Sequence, residues 1–266
     1  MPRTQACQVD LESQKAIVEL LERLRPQLVV HTVALTNVDQ CEREPDLAGH
    51  VNVDLAVNVA RACAQCGIKL VHVSTDHLFA GDVSWADEDW MVSPCNVYAR
   101  TKAEAEVGVL EHNPSALVVR TNFYGWGTRY RASFSDFILQ SLRTGKTLNL
   151  FDDVFYNPIL IDSLVDATHE LLEKGARGIF HAVGDERISK YDFGLKLAAH
   201  FELDAGLIRA VSIKEQPQLV SRPRDMSLSN RKTRLLLGRS VAGLSSDIDS
   251  LNRQEIQGVA EELAQL

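Results

Sequence analysis

Gly67-Ile68-Lys69-Leu70-Val71-His72-Val73-Ser74-Thr75-Asp76-His77 is the stretch that decides the fold. A short β-branched apolar run reads as a buried strand, the glycine before it as a helix stop, and the hydroxyl-bearing tail as the strand's carboxyl end. The same pattern recurs on either side. Ile17, Leu20, Leu21 and Leu24 fall at helical spacing with Pro26 just beyond, and Leu28-Val29-Val30-His31-Thr32-Val33 follows as a strand. A helix is expected from about Asp46 to Cys66, and a third from near Val97 to before Pro114, leading into the strand Ala116-Leu117-Val118-Val119. Helices alternating with short apolar strands predict an α/β fold, a doubly wound, Rossmann-like parallel sheet covered on both faces.

Beyond about Leu150 the alternation loosens, although a helix near Asp162–Lys174 and a strand over Gly178–Val183 continue it. The expected organisation is a domain over 1–150 built on the parallel sheet and a smaller region over 151–266, interleaved where the 178–183 strand returns to the main sheet. Gln216–Asn230 carries Pro217, Arg222, Pro223, Arg224 and several serines without a clear period, and reads as a loop over the surface or over a ligand.

The 266 residues are enough for a sizeable core. With 28 Lys and Arg against 36 Asp and Glu, the net charge of −8 argues against grip on a nucleic-acid backbone. No apolar run is long enough to span a membrane, and Met1-Pro2-Arg3-Thr4-Gln5 lacks a signal-like apolar core, so a cytoplasmic protein is expected. Five cysteines predict free thiols. Cys63-Ala64-Gln65-Cys66 has no second pair to complete a metal site and reads as small residues on a helix. The eight histidines show no metal-ligand spacing, so no metal is expected. Asp162 reads as a helix N-cap and Asp152-Asp153 as a turn. No GxSxG elbow is present.

In open α/β sheets ligands bind at the carboxyl ends of strands. Three such ends stand out: Ala34–Asp39, Ser74–His77 and Arg120-Thr121-Asn122-Phe123-Tyr124-Gly125. Tyr98 and Lys102, four apart at a helix start, share a face. An ammonium beside a phenol favours the phenolate and tunes it for proton exchange near neutral pH. A hydroxyl from Ser74 or Thr75 could align a substrate oxygen. Alone, YxxxK is a weak signal. The strand-end hydroxyls upstream strengthen it.

These residues resemble the extended short-chain dehydrogenase/reductases, and within them the dTDP-4-dehydrorhamnose reductase branch. Val71-His72-Val73-Ser74-Thr75-Asp76-His77-Leu78-Phe79 is similar to that branch's VSTDYVF segment, and Pro94–Lys102 to the segment carrying its tyrosine and lysine. Thr36–Glu42, Val51-Asn52-Val53-Asp54, Arg120–Gly125 and Arg222-Pro223-Arg224-Asp225 also fit. The resemblance implies Thr75, Tyr98 and Lys102 as a catalytic triad for reducing a nucleotide-activated 4-keto sugar with NADPH or NADH. Tyr98 would exchange a proton with the C4 oxygen, and Lys102 would bind the nicotinamide ribose. It places Asp10 and Leu11 at the adenine, Ala34 and Ser74 along the cofactor, and Asp76, Asn122 and Phe123 at the substrate. His77 departs from the branch's aromatic residue. Arg222 and Arg224 read equally as diphosphate ligands or as solvated loop charges.

The family opens with a strand, a GxxGxxG turn and a helix that hold the cofactor pyrophosphate. In this chain the earliest glycine is Gly49, and Gly125-Trp126-Gly127 follows a later strand with no third glycine in place. About 30 or more residues, most of a βαβ unit, are therefore expected to be missing. A fragment or mis-started gene product, an isoform without cofactor binding, and a partner that supplies the strand are the three readings, and the intact triad favours the first. Binding of the cofactor is in doubt on this ground. The methionine adenosyltransferase beta subunit is also similar to this branch, so a non-catalytic subunit bound to a partner enzyme is the alternative to a reductase. The family's pairing through its helices makes a homodimer a further option.

Overall fold

The computed structural model describes residues 6–265; the Met1–Gln5 stretch considered above lies outside them. The chain runs α1 (Gln14–Leu24), β1 (Leu28–His31), α2 (Val38–Arg43), α3 (Pro45–Gly49), a π-helical turn (His50–Asp54), α4 (Leu55–Cys66), β2 (Lys69–Val73), α5 (Val97–His112), β3 (Leu117–Arg120) and β4 (Phe123–Tyr124). It continues through α6 (Phe134–Arg143), β5 (Leu148–Phe151), β6 (Phe155–Tyr156), β7 (Ile159–Leu160), α7 (Ile161–Glu173), β8 (Gly178–His181), β9 (Ile188–Ser189) and α8 (Lys190–His200). β10 (Ile208–Val211), α9 (Arg231–Leu237), α10 (Leu244–Ile256) and α11 (Val259–Ala264) complete it. The main sheet has the order β1-β2-β3-β8, and β1 runs parallel to β2 with His31 opposite His72. This is the α/β fold with a parallel sheet that the alternation predicts.

Contacts divide the chain into two interleaved units. Among the described residues the first comprises 6–74, 96–118 and 177–179, and the second 75–95, 119–176 and 180–265. A single cut at residue 150 does not follow this packing. The chain passes into the second unit on leaving β2 and again within β3, so 75–95 and 119–150 pack with the later part of the sequence.

In the first unit, α1, α4 and α5 bury Ile17, Leu21, Val59, Cys63, Ala105 and Val109 against Leu70 of β2 and Val118 of β3. Ser13 caps α1 through Ala16 N, and Gly67 ends α4 in the left-handed region with φ 65°, as the glycine stop requires. The helix expected from Asp46 begins at Pro45 and is interrupted by the wider π turn, a local feature common near functional sites. That turn carries the buried Asn52, whose amide accepts from Leu35 N (2.7 Å) and donates to Leu35 O (3.2 Å) and Thr101 Oγ1 (2.9 Å). The segment after β1 is thereby tied to α5. β1 ends the strand order, and Val30 is 51% exposed. Cys63 and Cys66 are free thiols, and burial, with a smaller effect of Cys66, pushes Cys63 up to about 12, which suits the inert helix-face reading.

The second unit has its own core, built from α6, α8 and α10 around β5 and β10, which pair in parallel. At its centre Phe193 of α8 is fully buried, with Tyr124, Phe134 and Tyr156 in ring contact. Asp162 lies in the first turn of α7 and accepts from Gln254 Nε2; Leu160 takes the N-cap position expected of it.

The Gln216–Asn230 stretch is not a free surface loop throughout. From Pro223 onward it is largely buried, and Asp225 accepts hydrogen bonds from Ser84 Oγ (2.6 Å), Arg187 Nη2 (2.7 Å) and Ser227 N (2.9 Å). Phe155 N donates to Arg224 O, and Met226 N to Phe155 O. The crossing is close enough that a Cβ on Gly81 would lie 2.5 Å from Arg224 N, and Gly81 has φ +89°. Gly81→Ala should therefore destabilise the protein by about 1–3 kcal/mol in urea unfolding, from overpacking against backbone plus left-handed strain. An unchanged midpoint would show that the strap yields freely.

Candidate functional site

The first unit holds Ser74, Tyr98 and Lys102. Asn96 caps α5 by accepting from Ala99 N at 2.8 Å, and Glu42 accepts from Val97 N at 3.0 Å, so the first turn of this helix is fixed at its backbone. Tyr98 and Lys102 are one turn apart on α5 and both are buried, at 8% and 2% exposure. The Lys102 ammonium donates to Val73 O at 2.8 Å, the last carbonyl of β2, and stands 3.5 Å from His72 Nε2. Burial pushes Lys102 down to about 8, against a smaller opposing pull from Glu106. Ser74, expected along the cofactor, donates its hydroxyl to Glu106 Oε1 at 2.5 Å. Glu106 is itself buried and was not singled out from the sequence, although it lies one turn beyond Lys102 on the same helix.

His31 and His72 stack at 5.5 Å between centroids beneath this lysine. Burial and then the Lys102 charge hold both imidazoles neutral, His31 at about 4 and His72 well below the usual range. His72 therefore presents Nε2 to the ammonium as an acceptor. Of the remaining expected residues in this unit, Asp10 accepts from Glu12 N, the Leu11 carbonyl accepts from Asn58 Nδ2, and Ala34 is partly buried just before the Asn52 clamp.

The second unit holds Thr75, Asp76, His77, Asn122, Phe123 and Arg222. Thr75 is 5% exposed; its hydroxyl faces Asp76 Oδ1 at 3.4 Å and accepts from His77 N at 3.3 Å. Asp76, at 2% exposure, accepts from Asn122 Nδ2 at 2.6 Å and stands 3.9 Å from His77 Nε2. Burial lowers His77, Asp76 works the other way, and the charges of Lys190 and Arg222 add to the lowering. His77 thus feels the charges of Asp76, Lys190 and Arg222. Phe123 is half exposed in β4. Lys190 and Tyr156 were not anticipated. Lys190 is the first residue of α8, with its ammonium 3.5 Å over the Tyr156 ring and 4.8 Å over that of Phe134. Neither sits in a motif, so only the three-dimensional placement finds them.

These geometries place a buried phenol and a buried cation one turn apart on one helix of the first unit, and a carboxylate–amide pair in the second unit. A model of the RmlD substrate binding domain matches residues 2–254. The chain belongs to the RmlD substrate binding domain family. Among its relatives is a probable low-salt glycan biosynthesis reductase, Agl14, of Haloferax volcanii, 31% identical over 92% of this chain and 83% of the relative. The methionine adenosyltransferase 2 subunit beta of Pongo abelii is 28% identical over 86% of this chain and 70% of its own length. The crystal structure of dTDP-4-dehydrorhamnose reductase from Bacillus anthracis in complex with NADP superposes with a TM-score of 0.86 and 25% identity, covering 92% of this chain and 87% of that one. Among the described residues no helix is long and apolar enough to cross a membrane.

For an RmlD-family chain the nicotinamide cofactor is the group to test. The donor set on α5 fits its ribose end: Lys102 offers three N–H groups, of which Val73 O takes one and His72 faces a second. The electrostatics of this lysine give a direct prediction. Folded, it releases its proton near pH 8, and unfolded near 10.5, so between those values the unfolded chain binds more protons and stability rises with pH. Relative to Lys102→Met, the wild type should gain stability from pH 8 to 10.5, up to about 3 kcal/mol, with no change in the difference below pH 7. Guanidinium unfolding of both proteins across this range checks it; a flat difference would place the ammonium in water.

Proposed function

We propose that this chain is an NADPH-dependent reductase of a nucleotide-activated 4-keto sugar, acting on a substrate of the dTDP-4-dehydrorhamnose kind. The observation that carries the reading is the α5 arrangement: Tyr98 and Lys102 buried one turn apart, with the ammonium anchored on the last carbonyl of the strand that runs on into Thr75 and Asp76. The NADP bound by the Bacillus anthracis relative supports the cofactor assignment.

In this mechanism NADPH, when bound, supplies the hydride to the C4 carbonyl. Tyr98 gives its phenolic proton to the C4 oxygen as that oxygen gains negative charge, and Lys102 lowers the phenol's proton affinity by favouring the phenolate left behind. Lys102 also binds the nicotinamide ribose, and Thr75 aligns the carbonyl oxygen. Asp10, Leu11, Ala34 and Ser74 serve the rest of the cofactor through backbone and side-chain contacts. Asp76 and Asn122 receive the sugar ring, Phe123 borders it, and Arg222 takes the diphosphate, for which a guanidinium is well shaped.

The test combines titration of the purified chain with NADPH and NADH, followed by fluorescence, with a turnover assay on dTDP-4-dehydrorhamnose. NADPH should bind and be oxidised. Tyr98→Phe should lower kcat by roughly a hundred- to ten-thousandfold, the range for loss of a general acid, while NADPH still binds. Binding of cofactor by the wild type without turnover, together with co-purification of a partner enzyme, would favour instead a regulatory subunit, the reading that the likeness to the methionine adenosyltransferase subunit supports.

A further inference from the structure

The layer beneath Lys102 in the first unit holds two imidazoles where apolar rings would pack as well. His31 on β1 and His72 on β2 lie opposite one another in the parallel pair, at 5% and 1% exposure, and their stacked planes are 16° apart. Neither ring is fully hydrogen-bonded: among the described residues the buried His31 Nε2 and His72 Nδ1 have no partner. A phenyl ring of similar shape would leave no such orphan and so would cost the fold less. What the His72 imidazole makes and a phenyl ring could not is the contact of Nε2 with Lys102 Nζ at 3.5 Å.

That contact decides where the ring carries its hydrogen. An ammonium has donors and no lone pair, so the nitrogen facing it must be the acceptor and Nδ1 must hold the proton. The orphaned Nδ1 is thus the cost of presenting Nε2 to the lysine. Lys102 itself is 2% exposed, and its hydrogen bonds go to Val73 O at 2.8 Å and to His72. The ionisable groups set about it are His31 on β1, His72 on β2, and Tyr98 and Glu106 on α5. Both imidazoles are held neutral, first by burial and then by the lysine's charge; burial pushes Lys102 down to about 8, and Glu106 pulls it back. A neutral acceptor on an ammonium favours the charged form, since only that form donates all its hydrogens.

We infer that His72 is a positioning residue of the reductase site: its Nε2 keeps the Lys102 side chain in place and in its ammonium form, one turn from Tyr98, while the stacked His31 fixes the plane of the ring. The inference rests on the reductase reading above and adds to it a residue that acts through Lys102. Its consequence is an alkaline limit on turnover. Lys102 favours the Tyr98 phenolate only as an ammonium, so kcat falls as pH rises through the lysine's folded value. Removing the acceptor moves that fall to lower pH.

The experiment titrates Lys102 in the full chain by NMR with carbon-labelled lysine, Lys102→Met assigning the signal, and follows kcat for NADPH oxidation with dTDP-4-dehydrorhamnose over the same pH range. His72→Phe keeps a ring in the stack and removes the acceptor, whereas His72→Gln restores an acceptor at about the reach of Nε2. His72→Phe should lower the Lys102 titration and the alkaline fall in kcat together by about one pH unit, the worth of a hydrogen bond to a charged group. His72→Gln should return both most of the way. A folded His72→Phe whose Lys102 titrates as in the wild type would overturn the assignment, and so would a Gln variant that behaves as the Phe variant does. If His72→Phe does not fold, the nitrogen spectrum of the wild-type imidazole decides: hydrogen on Nδ1 with a bare Nε2 is expected, and hydrogen on Nε2 overturns it. A lysine titration that depends on His72 in a protein transferring no hydride would sink the reductase and leave this contact standing. Turnover whose alkaline fall ignores His72 would sink the positioning role alone.

Discussion

An ammonium taken out of water loses hydration worth several kcal/mol, and the first unit is arranged around recovering it for Lys102. The acceptor it uses, Val73 O, is the last carbonyl of β2. The second neighbour, His72 Nε2, accepts only while the imidazole is neutral. That condition is enforced twice, by burial and by the lysine's own charge, so a second positive charge cannot gather in the same place. The pair His31 and His72 therefore behaves as a polar floor under a single cation.

Holding Lys102 in this way also orients the helix that carries it. α5 is fixed at its first turn by Asn96 and Glu42 and at Thr101 by Asn52, and each of these ties is a hydrogen bond from or to buried or part-buried groups. Removing one partner would leave the other unsatisfied, which costs more than the bond contributes when made. The π turn that carries Asn52 makes sense in these terms: a regular helix continuing through His50–Asp54 would change the direction of that amide relative to Leu35.

How much of this was legible in the sequence differs between the units for physical reasons. In the first, β1, β2 and β3 are short, largely apolar runs and their helices carry strong caps and stops, so Pro26, Gly67 and Asn113-Pro114 mark boundaries that the structure keeps within a few residues. Tyr98 and Lys102 were found because four residues make one helical turn, and Asp76 and Asn122 because each follows a strand; the structure joins the latter pair at 2.6 Å. In the second unit β4, β6, β7 and β9 have two residues each, too short to show a period, and their partners are distant in sequence. The Pro223–Asn230 strap looked like a loop because its hydrogen bonds go to Ser84, Phe155 and Arg187 rather than to a local repeat.

Lys190 shows the limit most plainly. At the start of a helix a lysine is electrostatically unfavourable and is ordinarily solvated, so neither charge pattern nor helix signals select it. It becomes informative only once α8 is seen to place it over Tyr156 and Phe134 with Asp76 in reach. The two units thus hold a lysine in opposite ways, Lys102 buried and Lys190 partly exposed. Lys102 is given a backbone carbonyl and a neutral imidazole, so its position is fixed before any ligand arrives. Lys190 is given ring faces, which stabilise the charge without occupying its N–H groups, and being partly exposed it leaves those groups to solvent. The first arrangement fixes a charge within the fold, and the second leaves it the ordinary hydration of a surface lysine.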